Sequence, residues 1–219
     1  MTWAVERFVG AAAEFHALPL PPAGGAERAA WVFSVERPAL VLGSTQAADV
    51  VDAEACRAAG VEVARRRSGG GAVLLVPGEV VWVDLVVPAG DPLWLDDVGR
   101  SMWWVGDAWA RALLACGFPG ATVHRGRPVD APWSRLVCFA GLGAGEVTLH
   151  DRKVVGVSQR RTRSAARFQC GAYLRWDGDA LIRLLTAPRP ALGELESAAV
   201  SLPVGAGDLV AALLAALPR

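Results

Sequence analysis

The chain has 219 residues, of which 53% are hydrophobic and 20% are charged, a composition typical of folded rather than disordered proteins. Its 22 basic and 22 acidic side chains cancel, which disfavours a generally basic nucleic-acid-binding surface, and no apolar run reaches the roughly 18–20 residues that span a bilayer. The four cysteines form no C-x-x-C pair and have no histidine at ligand spacing, so we expect free thiols, no metal site, and a cytoplasmic protein with neither nucleic-acid nor membrane partners.

The first half of the chain is predicted to mix short helices and strands. A helix is expected over 2–17, with Thr2 as its N-cap. Residues 31–35 and 39–42 are typical of two strands of a hairpin that turns at Pro38. The further elements are a helix over 47–59, a short strand over 61–64, and a strand over 80–87 that is rich in β-branched residues and buried on both faces.

The second half contains the clearest predicted helix, over 97–116. Its apolar residues recur at steps of three or four and so share one face; they are Val98, Met102, Val105, Trp109, Leu113 and Cys116. A hairpin over 146–149 and 153–157 is expected to turn at His150 and Asp151. The remaining elements are a strand over 172–176, a helix over 180–185 with Asp179 as its N-cap, and a helix over 208–217. Clustered strands with helices between them predict an α+β fold, with mixed β-sheets flanked by helices, in a single domain over 1–219.

A run of three glycines at 69–71 follows three arginines and Ser68. Glycine permits positive φ and a close approach of the backbone to a ligand, and successive N–H groups can converge on an anion. An arginine beside such a loop suits a carboxylate or a phosphate, and strand alternation turns Arg66 away from its two arginine neighbours. A flexible surface loop between solvated arginines is the alternative. Neither the P-loop nor the dinucleotide-binding fingerprint is present.

Lys153 is the only lysine in the chain. On a strand it shares a face with Val155 and Val157, while Gly156 lies on the opposite face and permits a close approach to the backbone. An ammonium on an apolar face can stabilise an oxyanion or a phosphate. The alternative is a lysine at a hairpin end whose ammonium reaches solvent. Because the chain uses arginine at every other basic position, a single lysine points to a site that needs a compact charge.

Two cysteines lie close to these segments in sequence. Cys138 belongs to an apolar, strand-like run over 136–140, where a buried structural thiol is the default. It becomes a candidate nucleophile if Lys153 supplies a nearby cation. Cys170 is interpreted as a packing residue, and no histidine is placed to pair with either thiol.

Four segments together resemble the lipoate–protein ligase family, within the biotin/lipoate ligase fold. They are Gly-Ser-Thr-Gln at 43–46, Arg-Arg-Arg-Ser-Gly-Gly-Gly-Ala-Val at 65–73, Asp-Arg-Lys-Val-Val-Gly-Val-Ser-Gln-Arg at 151–160, and Phe-Gln-Cys-Gly-Ala-Tyr-Leu at 168–174. They occur in the order that the family shows, and the resemblance spans roughly 31–185.

The resemblance implies an activity. Ligases of this family activate lipoate or octanoate with ATP and Mg²⁺ to an acyl-adenylate, then transfer the acyl group to a lysine of a lipoyl carrier domain of 2-oxoacid dehydrogenase or glycine cleavage proteins. Lys153 corresponds to the family's essential lysine. The acyl- and adenylate-binding residues implied are Arg66, Ser68, Gly69, Gly70, Gly71, Ala72, Val73, Gly156 and Gln159. Val73, Val81 and Val83 are the candidates to line an apolar slot for the acyl chain.

The sequence departs from the family's pattern at three places. Leu-Val-Pro-Gly-Glu at 75–79 stands where many ligases carry His-Asp and Gly-Asn, and Cys170 stands where many carry a histidine. The chain also ends at Arg219, which leaves no room for the accessory C-terminal domain of many ligases, so a separate accessory subunit is a further candidate partner.

Octanoyltransferases of the same fold use a cysteine thioester without ATP or any other cofactor, and Cys138 stands at a position like their nucleophile. Three interpretations are therefore open: an ATP-dependent ligase, a transferase that uses Cys138 and takes its acyl group from acyl carrier protein or a lipoyl domain, and a non-catalytic relative that binds a lipoyl domain or an acyl group. The shared glycine and lysine segments favour the ligase.

Overall fold

The computed structural model describes residues 2–22 and 27–219. In this described part the strands are β1 (Ala4–Gly10), β2 (Ala29–Val35), β3 (Ala39–Leu42), β4 (Glu62–Arg65), β5 (Val73–Leu75), β6 (Val80–Pro88), β7 (Thr122–Val123), β8 (Val147–Leu149), β9 (Arg152–Arg161) and β10 (Ala165–Tyr173). The α-helices are α1 (Ala12–Ala17), α2 (Ala53–Ala58), α3 (Trp103–Ala115), α4 (Gly178–Ile182) and α5 (Ala206–Ala216). Short 3₁₀ helices occupy Ala48–Val50, Arg100–Met102 and Cys138–Ala140.

The strands form two sheets. The larger sheet has the order β1-β2-β6-β10-β9-β8-β7, and the smaller has the order β4-β3-β5. β1 pairs with β2 in parallel, whereas the other neighbours in the larger sheet are antiparallel. In the smaller sheet β3 is parallel to β4 and antiparallel to β5. The predicted α+β architecture of mixed sheets flanked by helices is confirmed.

The two faces of β6 pack against different layers, because successive side chains of a strand point to opposite faces. Val81, Val83, Leu85 and Val87 lie in a core with α3 and α5, whose contributions include Trp109 and Leu213. Trp82 and Val86 lie on the other face, in a second core with α1 and the smaller sheet. The larger sheet is therefore sandwiched between a helical layer and a layer built from α1 and the smaller sheet.

Several predicted elements are confirmed. β6 is buried along almost its whole length, as its β-branched composition predicted. The hairpin of β8 and β9 turns at His150 and Asp151, both of which have positive φ. α3 buries Val105, Trp109 and Leu113 as predicted, although Val98 is exposed and precedes the helix.

The predicted helix over 2–17 is wrong in its first half, which is strand β1. Phe8 there packs against the rings of Trp31 and Phe33, with ring centroids 6.1 and 5.3 Å apart. This packing joins β1 to β2, and it outweighs a local preference for helix. Helix α1 begins only after Gly10, where the backbone has a φ of 158°.

Three further expectations are also corrected. Residues 31–35 and 39–42 do not form a hairpin, because after Pro38 the chain leaves the larger sheet and enters the smaller one as its central strand. The predicted helix over 47–59 is divided into a 3₁₀ turn and α2. The N-cap of α4 is Asp177, whose carboxylate accepts from the N–H of Ala180. No helix in the described ranges is long and apolar enough to cross a membrane.

Candidate active site

The triple-glycine loop and Lys153 lie in one cleft of about 980 Å³, which is also lined by residues of the segments 45–50 and 128–143. Its lining includes Gly69, Gly70 and Gly71 on one side and Lys153, Ser158 and Gln159 of β9 on the other. Cys138 lies between these two sides. Two segments separated by some 80 residues in the sequence therefore form the walls of a single cavity, as the resemblance implied.

The loop is held in place by close backbone contacts that only glycine permits. A Cβ on Gly43 would overlap the carbonyl oxygen of Gly70, and a Cβ on Gly71 would lie 2.7 Å from the backbone N of Cys138. Gly70 itself has a φ of 98°, which side chains rarely adopt. Next to the loop, the N–H of Cys138 donates to the carbonyl of Ala72 at 3.0 Å. The glycines thus bring the loop against the cysteine.

Arg66 is buried behind the loop and supports it from inside. Its guanidinium donates to the carbonyl oxygens of Gly69 and Gly71, both at 2.8 Å, and to that of Val41 at 3.3 Å. With these bonds in place, the side chain sets the loop's conformation. Contact of Arg66 with an acyl or adenylate group stays a prediction.

Lys153 is buried and does not extend to solvent. Its ammonium donates to the carbonyl oxygen of Cys138 and to Glu146 Oε2, each at 2.7 Å, and lies 5.1 Å from the centre of the Phe139 ring. The interpretation as a solvent-reaching lysine is therefore wrong for this residue. The geometry places a positive charge directly beside Cys138.

Glu146 is the residue that sequence reasoning missed. Its carboxylate accepts from the N–H of Gly143 at 2.6 Å and from that of Val157 at 3.2 Å, besides the ammonium of Lys153. Glu146 is itself 4% exposed, so the ion pair is buried on both sides. A buried lysine on one strand of the predicted hairpin needs a counter-ion. Glu146, the first residue of the partner segment 146–149, could have been identified as that counter-ion from the sequence.

Cys138 begins a 3₁₀ turn rather than continuing a strand. The preceding Val137 forms a parallel bridge with Ala72, and the N–H of Ala140 then closes the turn on the carbonyl of Val137. The thiol is half-buried and lies 3.7 Å from the position of a Cβ on Gly70. Burial raises the pKa of the thiols of Cys56, Cys116 and Cys170, which disfavours their thiolate forms.

A narrow apolar slot of about 60 Å³ adjoins the cleft. Cys138, Val157 and Ser158 line both cavities. The other slot-lining residues are His16, Val41, Arg66, Val73, Leu75, Trp82, Phe139, Gly156, Gln169, Cys170 and Gly171. The slot therefore opens beside the thiol.

Val73 lies in the slot wall, whereas Val81 and Val83 line neither cavity; contact of Val73 with an acyl chain stays a prediction. Val81 and Val83 both point to the helical layer, while Trp82 between them faces the slot. Successive side chains of a strand point to opposite faces of the sheet. The prediction placed these two valines of β6 on the face that Trp82 occupies, so it assigned them to the wrong layer.

The remaining predicted site residues are distributed around the two cavities. Ser68 is buried and bonds to Gln169 Oε1 at 2.7 Å and to Ser158 Oγ at 3.0 Å. Gln159 lies in the cleft wall, where its amide bonds to Ser101 Oγ at 3.1 Å. Gly156 lies in the slot wall, and a Cβ added to it would lie 3.2 Å from the Phe139 ring. Ala72 is fully buried and lines neither cavity.

Residues 22–206 match the profile of the lipoyl protein ligase A/B catalytic domain. The chain belongs to this family. A curated relative is the octanoyltransferase LipM of Clostridioides difficile (strain 630), which is 25% identical over 146 residues. The match takes in 67% of this chain and 53% of the relative, so the chain spans about half the length of that protein. The family model is named for lipoyl protein ligases, and the curated relative is named for an octanoyltransferase.

Solved structures show the same fold. A crystal structure of lipoate-protein ligase A bound with ATP has a TM-score of 0.74 at 17% identity, over 99% of this chain and 84% of the other. A bipartite lipoate protein ligase from Thermoplasma acidophilum, described with its E2 lipoyl domain, has a TM-score of 0.73 at 15% identity, over 99% and 82%. The predicted lipoate-ligase fold is confirmed.

Proposed function

We propose that this protein is an ATP-independent acyltransferase that carries an octanoyl or lipoyl group on Cys138 as a thioester. The observation that carries the proposal is the position of the thiol. Within the described residues, Cys138 is the cysteine that lines both the cleft and the apolar slot. The end of an acyl chain would lie in the slot and the rest of the chain in the adjoining cleft, which would place its carbonyl carbon near the sulfur of Cys138.

The first half-reaction loads the enzyme. Cys138 Sγ attacks the carbonyl carbon of an acyl thioester, a bond forms between Sγ and that carbon, and the bond to the donor's sulfur breaks. The thiol proton of Cys138 leaves with the donor thiolate, so a carrier thiol is released. The ammonium of Lys153 donates to the backbone carbonyl of Cys138, and in this proposal it supplies positive charge close to the thioester whose carbonyl oxygen becomes negative during attack.

The second half-reaction transfers the acyl group to an amine. The ε-amine of a carrier-domain lysine attacks the thioester on Cys138, an amide bond forms, and the carbon–sulfur bond breaks. A proton from the amine returns to Sγ, which restores the thiol. Glu146 acts here as a positioning residue, since its bonds to Gly143 and Val157 fix the carboxylate that orients Lys153.

The charge of the cleft favours a thioester donor over ATP. The charged residues among its described lining are Asp49, Asp130 and Glu146 against Arg135 and Lys153. Lys153 is already paired with Glu146, so a triphosphate would meet few unpaired cations.

An ATP-dependent ligase is the second candidate, and the size of the cleft favours it. A volume of about 980 Å³ is at the upper end of the range for small-molecule sites and exceeds what an acyl chain needs. In that case ATP would supply the activation through an acyl-adenylate, with the glycine loop and Lys153 as its nearest groups.

The partners follow from the chemistry. The acceptor is a lysine of a lipoyl carrier domain, such as those of 2-oxoacid dehydrogenase and glycine cleavage proteins, and the donor is acyl carrier protein or a second lipoyl domain. A separate accessory subunit belongs to the ligase alternative. A reducing compartment such as the cytoplasm belongs to the proposal, because all four cysteines are free thiols and the reaction needs Cys138 reduced.

The test incubates the 219-residue chain alone with octanoyl-acyl carrier protein, without ATP, and measures its intact mass. The proposal expects an octanoyl adduct that is lost when a lipoyl domain is added, with the octanoyl group then found on that domain. Cys138→Ser should abolish both signals. Cys116→Ser is the matched control, since Cys116 lines neither cavity.

The alternatives give different results in the same assay. A ligase would lipoylate or octanoylate the domain only with ATP and free acid, would release pyrophosphate, and would tolerate Cys138→Ser. A non-catalytic relative would bind the domain or the acid without any mass change. Either pattern would overturn the transferase.

A further inference from the structure

A buried histidine forms part of the wall of the apolar slot. His16, on α1, is 7% exposed, and its ring lies against that of Trp82 with centroids 4.6 Å apart. His16 lines the slot but not the cleft, whereas Cys138 lines both. The imidazole therefore lies away from the mouth at which the thiol is found.

The hydrogen-bond network behind the slot determines which nitrogen of His16 carries the proton. Gln169 Nε2 lies 3.5 Å from Asp84 Oδ2, a carboxylate oxygen that also accepts from Arg167, so the amide nitrogen and not the amide oxygen faces that side. Gln169 Oε1 then accepts from the hydroxyl of Ser68 at 2.7 Å. Gln169 Nε2 then faces His16 Nδ1 at 3.0 Å. Because Nε2 of the glutamine donates, Nδ1 of the histidine accepts, and the neutral ring carries its proton on Nε2.

The neutral form is the one present near pH 7. Burial, together with the positive charges of Arg167 and Arg66, lowers the pKa of His16 to about 3. The imidazole is thus an N–H donor at Nε2 and carries no charge.

This donor has no partner. His16 Nε2 is buried and makes no hydrogen bond to any residue in the described ranges. Buried polar atoms in native proteins are almost always bonded, and leaving one unpaired is destabilising. The neighbouring slot wall is otherwise mostly apolar, with Val73, Leu75 and Trp82 among its members. Among the buried donors without a partner in the described ranges, His16 Nε2 is the one that belongs to a slot-lining residue, which makes a ligand in the slot the natural source of its acceptor.

We propose that the slot selects an acyl chain that carries a hydrogen-bond acceptor, oxygen or sulfur, on a carbon remote from its carboxyl end, and that His16 Nε2 donates to that atom. The inference rests on the proposed function, which places the reacting end of the chain at Cys138. A plain alkyl chain would leave the donor unpaired. An oxo group would satisfy it well, and a ring sulfur of lipoate would satisfy it weakly.

The experiment measures binding of free acids to the wild-type chain at pH 7 by isothermal titration calorimetry. The probes are octanoate, 6-oxooctanoate, 7-oxooctanoate and lipoate. We expect at least one oxo acid to bind about tenfold more tightly than octanoate, the ratio that one neutral hydrogen bond supplies. Tighter binding of lipoate as well would show that sulfur is accepted, and octanoate-like binding of lipoate would show that oxygen is required.

Two variants assign the preference to the imidazole. His16→Phe should bind octanoate and the oxo acids equally, whereas His16→Gln, whose amide nitrogen can replace Nε2, should keep a preference. His124→Phe is the matched control, because His124 lines neither cavity, and it should behave as wild type. If His16→Phe fails to fold, the wild-type preference and the glutamine variant still decide.

Equal affinity of the wild-type chain for all four acids would overturn the inference, as would an unchanged oxo preference in His16→Phe. Failure of the proposed function has a different signature, namely no acyl adduct on Cys138. Acid binding does not require that adduct, so the two failures are distinguishable.

Discussion

The buried pair of Lys153 and Glu146 provides a quantitative test of the site's architecture. Lys153→Met removes the ammonium, and the Glu146 carboxylate is then left with only its two backbone donors. The side chains are 4% and 5% exposed, so solvent does not compensate. Removing one partner of a buried ion pair costs about 3–5 kcal/mol. For a chain of this size we expect the melting temperature to fall by roughly 6–20 °C.

The double variant Lys153→Met with Glu146→Gln should recover much of that loss. It leaves no buried charge, and the glutamine keeps one carbonyl oxygen for either Gly143 or Val157. One backbone N–H loses its acceptor and the carbonyl of Cys138 loses the donor that Lys153 supplied, at a cost of about 1 kcal/mol each. We therefore expect the double variant to lie about 2 kcal/mol below wild type in unfolding free energy, and above the single variant.

The assay is urea denaturation of the wild type and of the single and double variants, with acyl transfer measured in parallel. Transfer should be reduced by about 10²-fold or more in both variants, because each lacks the ammonium that the proposed mechanism uses beside Cys138. A single variant within about 1 kcal/mol of wild type, or a double variant no more stable than the single, would refute the buried-pair reasoning. Transfer within a few-fold of wild type in the folded double variant would remove Lys153 from the mechanism.

Three further predictions concern the loop and the buried histidine. Gly43→Ala should displace the loop at Gly70 and reduce the rate of Cys138 acylation by about 10²-fold. The rate is measured by intact mass, and the control is Gly207→Ala, whose added Cβ contacts no other atom. Equal acylation rates in the two variants would contradict the close contact between Gly43 and Gly70. Gly70→Val, at a φ of 98°, should impair ligand binding more than thermal stability, and the reverse outcome would indicate a purely structural turn. The pKa of His16 is about 3 in the folded chain and about 6.5 in the unfolded chain. Between these pH values the imidazole is protonated only in the unfolded chain, so the free energy of unfolding falls as the pH decreases from about 6.5 towards about 3. From pH 7 to 5 the histidine should contribute a loss of about 2 kcal/mol, seen as a flatter pH profile of unfolding free energy in His16→Gln; identical profiles would contradict it.

Local signals in the sequence were sufficient for some elements and not for others. The turn residues between β8 and β9 and the β-branched run of β6 fix those elements within a few residues, and both predictions were confirmed. Strand β1 was missed because its partner β2 lies far along the chain, and only their parallel pairing makes Ala4–Gly10 a strand.

The site shows the same division. Glycines and a single lysine marked the two walls of the cleft, because their chemistry is unusual at those positions. Glu146 was missed because its role depends on a cross-strand contact with Lys153. The face of β6 was misassigned because alternation groups Val81 with Val83 but does not say which layer they meet; the packing of α3 and α5 decides that.

The alternation along β6 has an evolutionary consequence. Adjacent residues of this strand serve separate purposes: Val81 and Val83 pack against the helical layer, while Trp82 lines the slot in which we propose that the acyl chain lies. Under this proposal, a mutation at Trp82 can change which acyl chains bind while the helical core stays intact. Mutations at Val81 or Val83 can change the stability of the fold without changing which acyl chains bind. Descendants of this scaffold can therefore diversify in chain preference by changes at alternate positions of one strand.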